Sequence, residues 1–151
     1  FGASGNTMYL RFLGYEANYR GGLDVTAGDV TGDQIPDVVL SSINTSSTQD
    51  AFSGQIRIFN GATLPTETTP IVATPTEIVQ AFSSSAAGLR ATLYDGDGDG
   101  GIDWFWTGVT IGGTAQEKRL IKRFRVTPAP ITVLDSFFAN HGALNPGLTL
   151  G

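Results

Sequence analysis

The sequence predicts an all-β protein built from antiparallel four-stranded units, and three observations carry that expectation. Short runs of β-branched and aromatic residues recur between turns rich in Gly, Asp and Ser. None of these runs reads as a convincing helix. Two acidic segments of the same spacing lie 66 residues apart, each between strand-like runs, which marks an internal repeat.

Composition bounds the rest. The 151 residues make one ordinary domain, and 40% hydrophobic with 10% aromatic side chains is enough for a packed interior. Fourteen Asp and Glu against nine Lys and Arg give a net charge of −5, which argues against nucleic acid as a partner. The lack of Cys excludes disulfides, thiolate metal sites and cysteine nucleophiles, and the lone His141 leaves no second imidazole for a histidine zinc site. No apolar run approaches the roughly 18 residues of a membrane-spanning helix, so no membrane insertion is expected. A start at Phe1 without Met reads as a processed product, a fragment or part of something longer.

The elements follow in order. In the first unit, strands are expected at 23–27, before the first acidic segment, and at 37–41, after it. Two more are expected at 54–59 and 77–82. In the second unit Gly88-Leu89 opens the strand before the second acidic segment, and Trp104-Phe105-Trp106 follows it. Leu120–Phe124 is aligned with Gln55–Phe59, and Val133–Phe138 with Glu77–Phe82. Tyr9–Leu13 reads as another copy of the last strand, and Phe1-Gly2-Ala3 echoes Phe59-Asn60-Gly61-Ala62. On the frame Phe1, Phe59, Phe124 the repeats run 1–58, 59–123 and 124–151, the last only the start of a third. Four antiparallel strands in about 60 residues is the size of a propeller blade. The expected architecture is therefore about two and a half β-propeller-type blades, as a partial propeller or part of a larger or oligomeric one.

The acidic segments carry the chemistry. Asp29-Val30-Thr31-Gly32-Asp33-Gln34-Ile35-Pro36-Asp37 and Asp95-Gly96-Asp97-Gly98-Asp99-Gly100-Gly101-Ile102-Asp103 both place oxygen-bearing side chains at positions 1, 3, 5 and 9, with Gly at 4. Seven of the 14 carboxylates sit in these two stretches. Like charges this close repel unless a cation sits among them, and a hard cation with six to eight oxygen ligands, Ca²⁺, suits the pattern. An EF-hand would close with Glu at position 12 and enter a helix; here Val38-Val39-Leu40 and Trp104-Phe105-Trp106 follow, so each loop joins strand to strand.

The run Ala27 to Val39, with Gln55-Ile56-Arg57-Ile58-Phe59-Asn60-Gly61 and Tyr19-Arg20-Gly21-Gly22-Leu23 flanking it, resembles the FG-GAP/VCBS repeat. That repeat is the calcium-binding blade of integrin-type β-propellers and of many secreted bacterial proteins. The resemblance is strong over residues 1–60 and weaker over 77–151. It implies side-chain ligands at Asp29, Thr31, Asp33 and Asp37 with the Ile35 carbonyl, and at Asp95, Asp97, Asp99 and Asp103 with the Gly101 carbonyl. Two Ca²⁺ sites and an extracellular or cell-surface location follow as expectations. Thr31 stands where Asp or Asn is usual, and Gln34 where Gly is usual. With three carboxylates against four, the first loop is expected to bind Ca²⁺ less tightly than the second.

Other features are secondary. Lys118, Arg119, Lys122, Arg123 and Arg125 hold five of the nine basic residues and are expected on a solvated edge strand rather than on a docking strip for an acidic polysaccharide. Trp104, Phe105 and Trp106 are expected to pack between blades rather than to stack on sugars. Asn44-Thr45-Ser46 is a glycosylation sequon in a Ser/Thr-rich insert, and Thr63–Thr76 is a Pro/Thr-rich one. Glu16, Glu67, Glu77 and Glu117 are isolated, so no acid/base pair stands outside the loops and no enzyme is expected. The leading function is a secreted, non-catalytic, calcium-stabilised module for adhesion, surface structure or self-assembly. The alternatives are a carbohydrate-binding module, discriminated by exposure of Trp104 or Trp106, and an accessory fragment of a polysaccharide-active enzyme. The expected partners are further copies or the remaining blades of a longer chain, glycans or surface proteins.

Overall fold

Strands form where the β-branched and aromatic runs lie. The computed structural model describes residues 11–43, 52–64, 72–83, 86, 88–126 and 130–139. Among them, eight strands make two antiparallel four-stranded sheets: β1 (Leu23–Gly28), β2 (Asp37–Ser42), β3 (Gln55–Phe59) and β4 (Glu77–Gln80), then β5 (Gly88–Tyr94), β6 (Trp104–Ile111), β7 (Leu120–Arg125) and β8 (Thr132–Phe138). Each sheet keeps its strands in chain order, β1-β2-β3-β4 and β5-β6-β7-β8. The sheets divide the chain between Gln80 and Gly88, so the sequence frame boundaries at 58/59 and 123/124 fall inside β3 and β7. The sequon at Asn44, His141, Glu67, Phe1–Ala3 and the end of the third repeat lie outside the described residues.

Side-chain alternation gives each strand two faces. Val39, Ile56, Ile58 and Val79 of the first sheet meet Leu89, Ala91, Phe105, Val109 and Phe124 of the second in one shared core, with Val30, Ile102 and Phe82 closing its ends. Phe105 is fully buried and stacks on Phe124 with ring centroids 5.0 Å apart. Polar pins join the sheets: the Ser41 hydroxyl donates to the Leu89 carbonyl at 3.1 Å, and the Gly54 N–H to the Ala86 carbonyl at 2.9 Å.

The far face of the first sheet is covered by chain that precedes β1 and by the connections on either side of β3. Leu40 and Phe59 pack with Tyr15 and Ala73, flanked by Phe12, Tyr19, Phe52 and Leu64. Leu13 bridges to Val72, and the Ala73 N–H donates to the Leu13 carbonyl at 2.9 Å. Arg57 is buried in this layer with its guanidinium 4.2 Å from the Tyr15 ring centroid, and it donates to the Gly14 carbonyl at 3.1 Å. Burial pushes the Tyr15 phenol well above its ordinary range, so it stays neutral.

The structure revises three sequence expectations. Val38 pairs with Phe59, and Trp104, its counterpart 66 residues on, pairs with Arg125. Arg125, not Phe124, therefore stands where Phe59 does. The alternation agrees, since Phe124 joins Ile58 in the shared core while Phe59 turns outward. Second, β7 is an inner strand flanked by β8, so Lys122, Arg123 and Arg125 are not on an edge strand, and Lys118 and Arg119 lie in the short turn before it. Lys122 donates to the Ala81 carbonyl at 2.6 Å, and Arg123 is paired with Asp135. Third, Phe105 alone of its trio packs between the sheets, because its neighbours alternate to the outer face.

Glu117 ties this fold together at low pH-sensitive cost. Its carboxylate accepts the Ser83 N–H at 2.9 Å and the Thr114 N–H at 2.8 Å, joining the β6–β7 connection to the segment after β4. Burial opposes its ionisation, but these hydrogen bonds outweigh that, and its pKa falls from 4.5 to about 2. A depressed carboxyl contributes stability that is full above its unfolded value and lost as pH falls through its folded value. The difference in urea midpoint between the chain and Glu117→Gln should thus be largest above pH 4.5 and shrink between 4.5 and about 2.

Candidate metal centre

Tight loops leave backbone N–H groups without strand partners, and the Asp side chains collect them. In the loop between β1 and β2, Asp29 accepts the N–H groups of Gly32 (2.7 Å), Asp33 (3.1 Å) and Gln34 (2.8 Å). Asp37, fully buried, accepts those of Val30 (2.7 Å), Thr31 (2.7 Å) and Gly61 (2.9 Å). Gly61 is demanded here by close approach, since a Cβ would lie 2.1 Å from the Pro36 carbonyl oxygen. Asp33 accepts the Ile35 N–H at 2.9 Å and the Asn60 side-chain N–H at 2.9 Å. These bonds, the one from Ile35 first, hold its carboxyl below the ordinary range.

The loop between β5 and β6 repeats the wiring. Asp95 accepts from Gly98 (2.7 Å) and Gly100 (3.0 Å), Asp97 from Asp99 (3.1 Å), Asp99 from Gly101 (2.8 Å) and Asp103 from Gly96 (2.7 Å). The curls match as well: φ is +77° at Gly32 and +82° at Gly98, then +66° at Gln34 and +95° at Gly100. The loops thus share a backbone wiring, but of the expected ligands only Asp95, Asp97 and Asp99 form a close carboxylate group among the described residues; Asp103 stands outside it, and Asp29, Asp33 and Asp37 form none.

The loops differ in what is left over. In the first, every carboxylate oxygen of Asp29, Asp33 and Asp37 accepts at least one hydrogen bond. In the second, among the described residues, Asp97 Oδ2, Asp99 Oδ2 and Asp103 Oδ1 accept none. Carboxylate oxygens of Asp95, Asp97 and Asp99 converge within 4.8 Å of one another. That donor set, hard oxygens only and mostly exposed, fits a Ca²⁺ ion.

The loops also touch. The Ile102 N–H donates to the Asp29 carbonyl at 2.7 Å, forming a single bridge between them. A cleft of about 600 Å³ lies alongside, lined by Asp29, Gln34 and Pro36 on one side and Asp99, Gly100 and Gly101 on the other. Asn60 is the residue sequence reasoning passed over. It lies 27 positions from Asp33, and only the β2–β3 pairing brings it there.

Outside the loops, Glu16 lies 3.6 Å from Arg57, and Glu77 accepts the Ile131 N–H at 3.2 Å. The outer face of the second sheet carries Tyr94 stacked on Trp104 (5.0 Å) and Phe137 edge-on to Trp106 (5.7 Å). The Arg123 guanidinium sits between the two indoles, 5.5 and 5.1 Å from their rings.

Gln34 is the lone non-glycine residue at positive φ among the described residues. A left-handed conformation costs an L-residue about 1 kcal/mol or more. Gln34→Gly should therefore raise the unfolding free energy by about 1 kcal/mol in urea denaturation.

Comparison with protein-family models found no match, and neither a curated protein nor a solved structure matches the chain significantly.

Proposed function

We propose that the chain is a non-catalytic calcium-binding module of propeller-type blades, working outside the cell in adhesion, surface structure or self-assembly. The carrying observation is the convergence of Asp95, Asp97 and Asp99 within 4.8 Å, with three loop oxygens lacking a donor. Asp103 and the Gly101 carbonyl complete the ligand set the FG-GAP resemblance implies. Bound calcium would neutralise the mutual repulsion of these carboxylates, which is a structural task. The blade reading is supported by two sheets of one strand order packed on one core. Among the described residues no helix is long and apolar enough to cross a membrane.

Calcium that binds only the folded chain stabilises it, by about 2.7 kcal/mol at a free concentration one hundred times its Kd. Thermal unfolding should move to higher temperature in calcium than in chelator, and Asp99→Asn should abolish the shift. Identical melting curves reject the reading.

Carbohydrate binding is a second reading, favoured by the outer face of the second sheet. Trp104 and Trp106 are only half-buried, and Tyr94 is 49% exposed. Aromatic faces flanked by an arginine suit stacking on sugar rings. Quenching of tryptophan emission by a soluble polysaccharide, lost in Trp106→Ala, would select it; unchanged emission would leave the structural reading alone.

A further inference from the structure

We infer that the first acidic loop is closed by a side-chain amide in place of a cation, so that only the second loop takes calcium. The inference rests on the calcium reading for the loop at 95–103 and adds a different assignment for 29–37. The Asn60 amide nitrogen donates to Thr31 Oγ1 at 3.1 Å and to Asp33 Oδ2 at 2.9 Å. These are the side chains at positions 3 and 5, where the resemblance puts two ligands. An N–H pair aimed at both supplies the positive end of a dipole where the second loop offers only oxygens.

The amide is held there from three sides. Asn60 Oδ1 accepts the Ala62 N–H at 2.7 Å, and its own N–H donates to Thr76 Oγ1 at 2.9 Å. Its backbone position follows from the pairing of Phe59 with Val38, next to Asp37. Thr31 contributes no charge, so the loop has one fewer negative group to offset, and the Asn60 dipole with the backbone N–H groups serves its three carboxylates.

Among the described residues the second loop has no such group. Arg125 holds the register position of Phe59, which puts Val126 at that of Asn60, and a valine side chain has no donor. Asp97, a carboxylate where the first loop has Thr31, keeps one oxygen without a partner among the described residues. The two loops share a backbone and differ in who satisfies positions 3 and 5.

Calorimetric calcium titration of the full chain tests this alongside amide hydrogen exchange in chelator. A single Ca²⁺ per chain is expected, unchanged in Asp33→Asn and at least about tenfold weaker in Asp99→Asn. In chelator, residues 29–35 should exchange slowly and 95–101 fast. Asn60→Ala should speed exchange at 29–35 at least about tenfold, since it removes the amide's bonds to Thr31 and Asp33. Asn60→Asp, which turns a donor into an acceptor, should add a second Ca²⁺. Two Ca²⁺ per chain with one lost in Asp33→Asn overturns the inference and leaves the calcium reading standing. No calcium binding overturns that reading, and the exchange arm then decides alone: equal exchange at 29–35 with and without the Asn60 amide overturns the inference. A poorly folding Asn60 variant leaves the Asp33→Asn titration to decide.

Discussion

The carboxylate of Asp37 is fully buried, and a buried charge persists only where donors surround it. Its three backbone donors come from Val30, Thr31 and Gly61, on two different segments of chain. One side chain thereby sets the end of the first acidic loop, the start of β2 and the turn that leaves β3. The Val38–Phe59 pairing lies directly beside this knot, and the shared core is built from the next residues inward, Val39 and Ile58. The packing of the two sheets therefore begins from an electrostatic requirement rather than from apolar surface alone.

Most strands were legible because their residues alternate or cluster as the pleat demands. The expected strands at 23–27, 37–41 and 54–59 differ from the observed ones by a residue at an end. The acidic loops were legible for a different reason, since repeated spacing survives where the surrounding residues have drifted. What could not be read was register. Matching Phe59 to Phe124 by identity slipped the alignment by one, and in a strand one residue exchanges the two faces. The same blindness hid Asn60 and misplaced Trp104 and Trp106, whose surroundings depend on which strand lies alongside. The place of β7 inside its sheet depends on which strand lies alongside, and the run Val133–Phe138, though strand-like in the sequence, does not name its partner.

The loops show how far a repeat can keep its shape while its chemistry moves. Four backbone-to-carboxylate bonds recur at matched positions, and the positive-φ residues fall in the same two places. Gln34 occupies a conformation suited to glycine, so the backbone of the loop prevails over the local preference of its residue. Geometry is the conserved quantity between the two units, and the partners of the third and fifth positions are the variable one.

The bridge from Ile102 to Asp29 and the bond from Ser41 to Leu89 lie toward opposite ends of β1, β2 and β5. Further bonds hold the margins, since Lys122 donates to the Ala81 carbonyl and Glu77 of β4 accepts the Ile131 N–H just before β8. Rocking, sliding or twisting one sheet on the other would break at least one of these bonds. The two sheets are thus clamped at the charged end and at their margins alike, so the acidic loops sit on a braced base.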